Sequence, residues 1–287
     1  MRTKMGVSAL GAVLTSAFGN ERSVSGKGRS PSPKEGDSKE GDSCDDTIKV
    51  GQLEWDDSEN TGNFNSVLAP SGCVDAPVDD YVGAVASAAA PRIGLLRGWF
   101  VEESDAEMRL TIEEVAQRLS QSGADVIEVD TGIDFARAYE AHRVMQQTEI
   151  GHFHEPMFAE SESLYGPKVA DYIRLGLGYT ATQYVTAMNL RREVQAAAAK
   201  TLATVDVLLM PTASGPAPRD LTATGDTRFQ SPWSFTGFPS ISLPVGLAGN
   251  GLPLGAQMVS APFREARLLA AARWAEQTLG VELFPPV

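Results

Sequence analysis

The 287-residue sequence has few cysteines, a deficit of positive charge and no long apolar run. Cys44 and Cys73 form no Cys-x-x-Cys pair, so the sequence predicts neither a structural zinc site nor a thioredoxin-like redox motif. Lys and Arg total 24 against 37 Asp and Glu, and the formal net charge of −13 repels nucleic acid and anionic lipid. No stretch approaches the ~20 apolar residues of a membrane helix. We therefore expect neither a nucleic-acid nor a membrane partner.

Two features near the N-terminus leave alternatives open. Cys44 and Cys73 are either two unpaired thiols, as a reducing cytosol would keep them, or a disulfide. Residues Met1–Ala17 carry two basic residues and then a mildly apolar stretch ending in small residues, as a secretory signal does. Four glycine or hydroxyl residues interrupt that stretch, which fits a short helix or an unstructured terminus instead. We take a cytoplasmic location as the prediction.

The composition changes at about residue 76. From Glu21 to Glu59 the chain is dense in Ser, Gly, Lys, Asp and Glu and almost free of large apolar side chains. Such a segment buries too little area to offset the entropy of ordering it. We therefore predict a low-complexity, mostly disordered segment over residues 1–76 and one folded domain over residues 77–287.

The second part alternates strands and helices. Arg92–Leu96 and Asp125–Val129 are predicted strands on either side of a helix that Ser104 caps and Gly123 ends. That helix places Met108, Ile112, Val115 and Leu119 on one face. Further predicted elements are a helix capped by Thr180 and Gln183, strands at 206–210, 240–244 and 254–259, and a closing helix at about 264–278. The pattern predicts an α/β fold with a mixed sheet flanked by helices.

Common catalytic motifs are absent from the sequence. It has no Gly-x-Ser-x-Gly nucleophile elbow, no Gly-x-Gly-x-x-Gly and no phosphate loop. Of its three histidines, His142, His152 and His154, the last two lie in a helix predicted over Met145–Glu160, where positions two apart do not share a face. We predict surface or half-buried histidines, no metal site and no cofactor.

Four segments together resemble the C-terminal part of the amidase signature family. They read DVLLMPT at 206–212, SPWSFTGFPSISLPVG at 231–246, GLPLGAQ at 251–257 and YGPKVADYI at 165–173, the last followed by Tyr184 and Arg191. The resemblance spans roughly residues 78–284. It implies hydrolysis of carbon–nitrogen amide bonds, and in that family the region of Trp233, Phe235 and Phe238 lines an acyl pocket. Core packing of these aromatic side chains is the equal alternative.

The resemblance also implies catalytic residues that this sequence does not contain. The family uses a lysine, a bridging serine in a Gly-Ser-Ser-Gly-Gly run and a nucleophilic serine, because a serine hydroxyl needs a base and an oxyanion site to react. Here no two serines and no two glycines are adjacent, and Ser23, Ser25 and Ser30 near Lys27 lie in the predicted disordered segment. We therefore predict no catalytic residue.

The resulting prediction is a truncated amidohydrolase that is inactive alone. It would bind a small amide substrate once an N-terminal half completes it. The alternative is a non-catalytic partner that associates with another polypeptide through an exposed sheet face.

Overall fold

The computed structural model describes residues 79–219 and 225–283. The predicted disordered segment, both cysteines and Met1–Ala17 lie outside the described residues. Within the described ranges, one five-stranded sheet is flanked by helices on both faces, which confirms the predicted α/β class.

The strands are β1 (Arg92–Leu96), β2 (Asp125–Val129), β3 (Val207–Pro211), β4 (Ser240–Leu247) and β5 (Pro253–Val259). Their order across the sheet is β2-β1-β3-β5-β4. β1 is parallel to β2 and β3, whereas β5 is antiparallel to β3 and β4. The predicted parallel pair of β1 and β2 is confirmed, and β4 is longer than predicted.

Eight helices accompany the strands in the described residues. They are α1 (Tyr81–Ala86), α2 (Trp99–Glu102), α3 (Ala106–Gln121), α4 (Phe135–Ser161), α5 (Pro167–Gly178), α6 (Ala181–Leu202), α7 (Ser231–Thr236) and α8 (Glu265–Leu279), with a 3-10 turn at Glu162–Leu164. Among these residues, no helix combines the length and apolar character that crossing a bilayer requires.

The N-cap of α3 differs from the prediction by one residue. Asp105 caps the helix by accepting a hydrogen bond from the Met108 backbone N–H at 2.7 Å. The Ser104 hydroxyl instead donates to the Phe100 carbonyl at 2.7 Å, at the end of the short α2, which no sequence pattern predicted. Both residue types cap helices well, so local propensity alone does not choose between them. The predicted apolar face of α3 is buried as expected.

Helices of this chain cover the apolar side chains of the sheet. α3 and α8 pack on one face, and α2, the start of α4, the end of α6 and α7 pack on the other. The predicted exposed apolar sheet face is therefore wrong for the described residues. β4 points Ile241, Leu243 and Val245 into the core, while alternation along the strand leaves Ser242 half-buried and Pro244 exposed on the other side. Only one edge of β4 is paired within the described ranges.

The helices α4, α5 and α6 form a layer that extends beyond the sheet. α4 and α5 approach so closely that a Cβ on Gly176 would lie 1.8 Å from the Gln147 carbonyl oxygen, so glycine is required there. Thr180 is the N-cap of α6 and forms the predicted capping box with Gln183. This layer carries the long polar side chains that reach α7.

Candidate functional site

The three predicted pocket residues lie on α7 and in the turn that follows it. Trp233 and Phe235 belong to α7, which ends at Gly237 with a φ of +74°, and Phe238 follows just before β4. Their side chains are 1%, 0% and 6% exposed, so all three point into the described part of the molecule. A pocket-lining role for them stays a proposal.

Two side chains of α6 hold the C-terminal end of α7. The Arg191 Nε donates to the Phe235 carbonyl at 2.5 Å, and the Gln195 Nε2 donates to the Thr236 carbonyl at 2.8 Å. The last carbonyls of a helix have no partner inside the helix, so these donors satisfy groups that would otherwise be orphaned. Arg191 was part of the sequence resemblance, whereas Gln195 was missed. In the sequence, Gln195 is distinguished only as a polar residue next to the apolar positions of α6.

Two glutamines hold the segment that leads into α7. Gln257, which is 2% exposed on β5, donates from Nε2 to the Pro211 carbonyl at 3.1 Å and to the Phe229 carbonyl at 2.9 Å. Gln230 donates to the Thr212 carbonyl at 2.7 Å. The start of α7 is thus tied to the end of β3, and the whole turn has a defined position relative to the sheet.

A pair of hydroxyl groups lies beside that anchor. The Thr212 and Ser242 hydroxyl oxygens are 2.8 Å apart, which is a hydrogen bond between the end of β3 and β4. A Cβ on Gly255 would lie 3.1 Å from each of these two oxygens. Glycine on β5 therefore leaves room for the hydroxyl pair on the polar side of the β4–β5 hairpin.

A cluster of buried titratable groups lies between α4 and α6. The Tyr184 hydroxyl donates to the Glu149 Oε1 at 2.7 Å, while the Glu149 Oε2 is buried without a partner. Burial raises the pKa of Glu149 to about 7, although Tyr184 and Arg191 oppose the shift. Burial and then the hydrogen bond to Glu149 raise the pKa of Tyr184 to about 12. Glu149 therefore titrates much closer to neutral pH than an exposed carboxyl does.

His142 corrects the prediction for the histidines. It is 5% exposed, its ring lies edge-on to Phe235 at 6.0 Å, and neither ring nitrogen has a hydrogen-bond partner. Burial lowers its pKa to about 4, so it is neutral at pH 7. The sequence alone did not predict this burial, because it depends on which helix packs against the apolar side of α4. His152 is exposed and His154 is half-buried, as predicted. The described residues contain no group of three His, Cys, Asp or Glu side chains that could hold a metal ion.

The carboxyl ends of the parallel strands are filled by aromatic side chains. In α/β proteins, ligands often bind at the carboxyl ends of two neighbouring parallel strands whose following chain segments run to opposite sides. In this sheet those two strands are β1 and β3. The ring centroids of Trp99 and Phe100 lie 5.2 and 5.1 Å from that of Phe229. This edge is packed, and the polar anchors around α7 remain the best candidate for a functional site.

Comparison with known proteins shows the family. Residues 65–269 match the family model described as Amidase. The chain is 30% identical over 238 residues to a glutamyl-tRNA(Gln) amidotransferase subunit of Geotalea daltonii, covering 72% of this chain and 49% of that one. It is 30% identical over 213 residues to a fatty acid amide hydrolase of Medicago truncatula, covering 68% and 34%. A crystal structure of an amidase superposes with a TM-score of 0.61 at 25% identity, covering 67% and 46%. The chain thus spans half or less of each relative.

Proposed function

Because the chain belongs to the amidase signature family, we propose that it supplies the substrate-shaping part of an amidohydrolase that cleaves carbon–nitrogen amide bonds. The observation that carries this proposal is the anchored segment from Phe229 to Pro239. Gln257 of β5 holds Phe229 at its start, and two side chains of α6 hold the carbonyls of Phe235 and Thr236 nearer its end. A fixed backbone is what a substrate pocket requires.

Trp233, Phe235 and Phe238 are the proposed pocket side chains. In the described residues they form the apolar interior of the segment, with Trp233 and Phe238 in one cluster and Phe235 between α4 and α6. We propose that they set the shape of the acyl pocket from its core side, because they support the turn at Gly237. A smaller side chain at Phe235 would leave a cavity between α4 and α6 and so weaken the support of the turn.

The proposal assigns no nucleophile to this chain. The sequence contains neither adjacent serines nor adjacent glycines, so the family's Gly-Ser-Ser-Gly-Gly run is not among these 287 residues. Without an activated serine and an oxyanion site, loss of either of which costs at least ~10² in rate, the chain should not hydrolyse amides by itself. The lysine and the serines would come from sequence that is not part of this chain. The cytoplasm stays the proposed location, from composition alone.

A hydrolysis assay tests the proposal. The purified chain is incubated with an aryl amide and an aliphatic amide, and ammonia or amine release is measured. We expect release at the rate of the buffer blank. Turnover that disappears on heat denaturation would contradict the absence of a nucleophile. Addition of a polypeptide carrying the family's lysine and Gly-Ser-Ser-Gly-Gly run should create activity if the substrate-shaping role is correct.

The unpaired edge of β4 favours a second candidate function, a non-catalytic partner that binds another polypeptide. β4 has eight residues and pairs only with β5 in the described ranges, so the backbone groups of its outer edge could pair with a strand of another chain. Binding of a polypeptide without the lysine and the serines, with no activity gained, would favour this candidate over the split enzyme.

A further inference from the structure

Glu149 is a buried carboxyl group with one unused oxygen. The residue lies on α4 and is 9% exposed. The Tyr184 hydroxyl of α6 donates to the Oε1 at 2.7 Å, whereas the Oε2 has no hydrogen-bond partner in the described residues. An ionised carboxylate accepts several hydrogen bonds, so a single donor compensates its charge poorly. Loss of the proton on Glu149 therefore leaves a negative charge to which the surrounding groups must respond.

Arg191 on α6 is the cation that can respond. Burial raises the pKa of Glu149 and Arg191 opposes that shift, while burial lowers the pKa of Arg191 and Glu149 opposes it in turn. None of the ion pairs in residues 79–219 and 225–283 includes either side chain, so the two charges interact without a direct bond. A guanidinium has five N–H donors, and the Nη groups of Arg191 can therefore still bind a carboxylate.

Arg191 also connects Glu149 to the turn after α7. Its Nε donates to the Phe235 carbonyl at 2.5 Å, and the position that a Cβ on Gly237 would occupy lies 3.8 Å from its Nη2. A guanidinium is planar and rigid. Movement of the Nη groups towards α4 would therefore also move the Nε that holds the Phe235 carbonyl.

Tyr184 provides a second connection between Glu149 and α7. Its ring packs against the apolar cluster between α4 and α6, in which the Phe235 side chain is fully buried. Protein interiors are close-packed and transmit small displacements between neighbours. A change in the bond between Tyr184 and Glu149 would thus reach the same residue whose carbonyl Arg191 holds.

The other titratable groups packed around Glu149 keep their charge near pH 7 or lie at the surface. On α4, burial and then Arg191 lower the pKa of His142 to about 4, so its ring is neutral. Burial raises the pKa of Tyr184, and of Tyr172 on α5, to about 12, so both hydroxyls keep their protons. α7 has no charged side chain. The charged residues of α5, of the 3-10 turn and of the rest of α6 are exposed: Glu162, Lys168, Asp171, Arg174, Arg192, Glu193 and Lys200.

We propose that Glu149 is a proton switch for the turn after α7, because loss of its proton draws Arg191 towards α4 and displaces the Phe235 carbonyl. An ionised Glu149 gives the guanidinium a second anchor, and hydrogen bonds between two ionised groups are among the strongest in proteins. A protonated Glu149 leaves Arg191 on the Phe235 carbonyl alone. The switch rests on the proposed function for its consequence, which is that the acyl pocket of a completed enzyme has different shapes below and above neutral pH.

A single resonance of the full chain tests the switch. Phe-Thr occurs once in the sequence, at Phe235–Thr236. A chain labelled with ¹³C in the phenylalanine carbonyl and ¹⁵N in threonine therefore gives one carbonyl-selected amide signal, which reports the carbonyl that Arg191 holds. We expect its chemical shift to change with pH around a midpoint of about 7. A shift that stays constant from about pH 5 to about pH 9 would overturn the proposal.

Variants assign the change to Glu149. Glu149→Gln should abolish it, and Glu155→Gln, at an exposed carboxylate of α4, should retain it. Tyr184→Phe removes a hydrogen bond that favours the ionised carboxylate, so the midpoint should rise by about 0.5–1 pH unit. Persistence of the change in Glu149→Gln would assign it to His152 or His154 and overturn the switch. If Glu149→Gln does not fold, an unchanged or lower midpoint in Tyr184→Phe would overturn it.

A further variant tests the role of the guanidinium, because an ionised carboxylate also shifts nearby resonances through its field alone. Arg191→Lys keeps the charge but loses the rigid link between Nε and Nη. We expect the ¹³C signal of the Glu149 carboxyl still to titrate and the Phe235 carbonyl to respond at least about threefold less. An undiminished carbonyl response would show that Arg191 does not transmit the change, and it would contradict the proposal.

This titration is independent of hydrolysis, because it is recorded on the chain without substrate. A chain that shows the switch but gains no activity with an added N-terminal polypeptide would support the switch and contradict the proposed function. A chain that gains activity while its Phe235 carbonyl shift stays constant would do the reverse.

Discussion

Glu149 and His142 are buried ionisable residues on the same helix, and their pKa values move in opposite directions. Folding raises the pKa of Glu149 from 4.5 to about 7. Between these two pH values, its carboxyl is therefore protonated in the folded state and ionised in the unfolded state. The pKa of His142 falls from 6.5 to about 4, so the unfolded state binds its proton in that range and the folded state does not. The first shift lowers stability as pH rises, and the second raises it.

We predict that single substitutions separate these two opposing slopes. In Glu149→Gln only the effect of His142 remains, so the free energy of unfolding should increase from about pH 4 to pH 6.5. In His142→Phe only the effect of Glu149 remains, so the free energy of unfolding should decrease from pH 4.5 to about pH 7. At about pH 7.5 Glu149→Gln should be more stable than the unaltered chain by about 1–2 kcal/mol, allowing for solvent screening. Urea unfolding across this pH range measures each slope.

Glu155→Gln is the matched control for that experiment. Glu155 is an exposed carboxylate on the same helix, and its removal should change neither slope. Identical pH profiles for Glu149→Gln and Glu155→Gln would show that Glu149 is not buried as described.

Some residue-level features could not be read from the sequence. The donors Gln195, Gln230 and Gln257 are ordinary polar residues until β3, α6 and α7 bring distant carbonyls to them. His142 is similar, because its burial depends on Phe235, which lies 93 positions further along the chain. Long-range contacts of this kind leave no periodic pattern in the local sequence.

Secondary structure was more predictable, because local patterns determine most of it. The apolar spacing of Met108, Ile112, Val115 and Leu119 predicted the buried face of α3, and all four side chains are at most 3% exposed. Thr180 and Gln183 predicted the start of α6. The short helices α2 and α7 were missed because four to six residues carry too little periodicity to identify a helix.

The capping box of α6 gives a prediction at the level of the element. Thr180→Ala removes the hydroxyl that accepts from the Gln183 N–H, and we expect a loss of about 1 kcal/mol in unfolding free energy. Thr186→Ala is the control, since its hydroxyl donates to the Thr182 carbonyl inside the same helix and caps nothing. Equal losses, measured by urea unfolding, would show that the cap does not stabilise α6.

Whole-molecule association is expected to involve the helical layer rather than the sheet. Seven large apolar side chains of this layer, including one in the 3-10 turn between α4 and α5, are exposed: Phe153, Met157, Leu164, Val169, Leu175, Leu177 and Val185. Exposed apolar surface of this kind favours association, and a net charge of −13 opposes it weakly at physiological salt. Both faces of the sheet already have helices against them.

We predict concentration-dependent association of the purified chain in light scattering. Changing both Leu164 and Leu175 to Gln should reduce it, because these side chains are 84% and 54% exposed. Val82→Gln, at an equally exposed site outside the layer, should leave it unchanged. A monomer at all concentrations, or an equal effect of Val82→Gln, would contradict an interface on the helical layer.

The central claim is that this chain has the amidase fold around α7 but no activated serine of its own. Its most direct test is the intact mass of the folded chain after incubation with a fluorophosphonate probe, which reacts with activated serines. We expect the unmodified mass. A single adduct on one serine, formed by the folded chain and absent after heat denaturation, would contradict the claim and identify a nucleophile within these 287 residues.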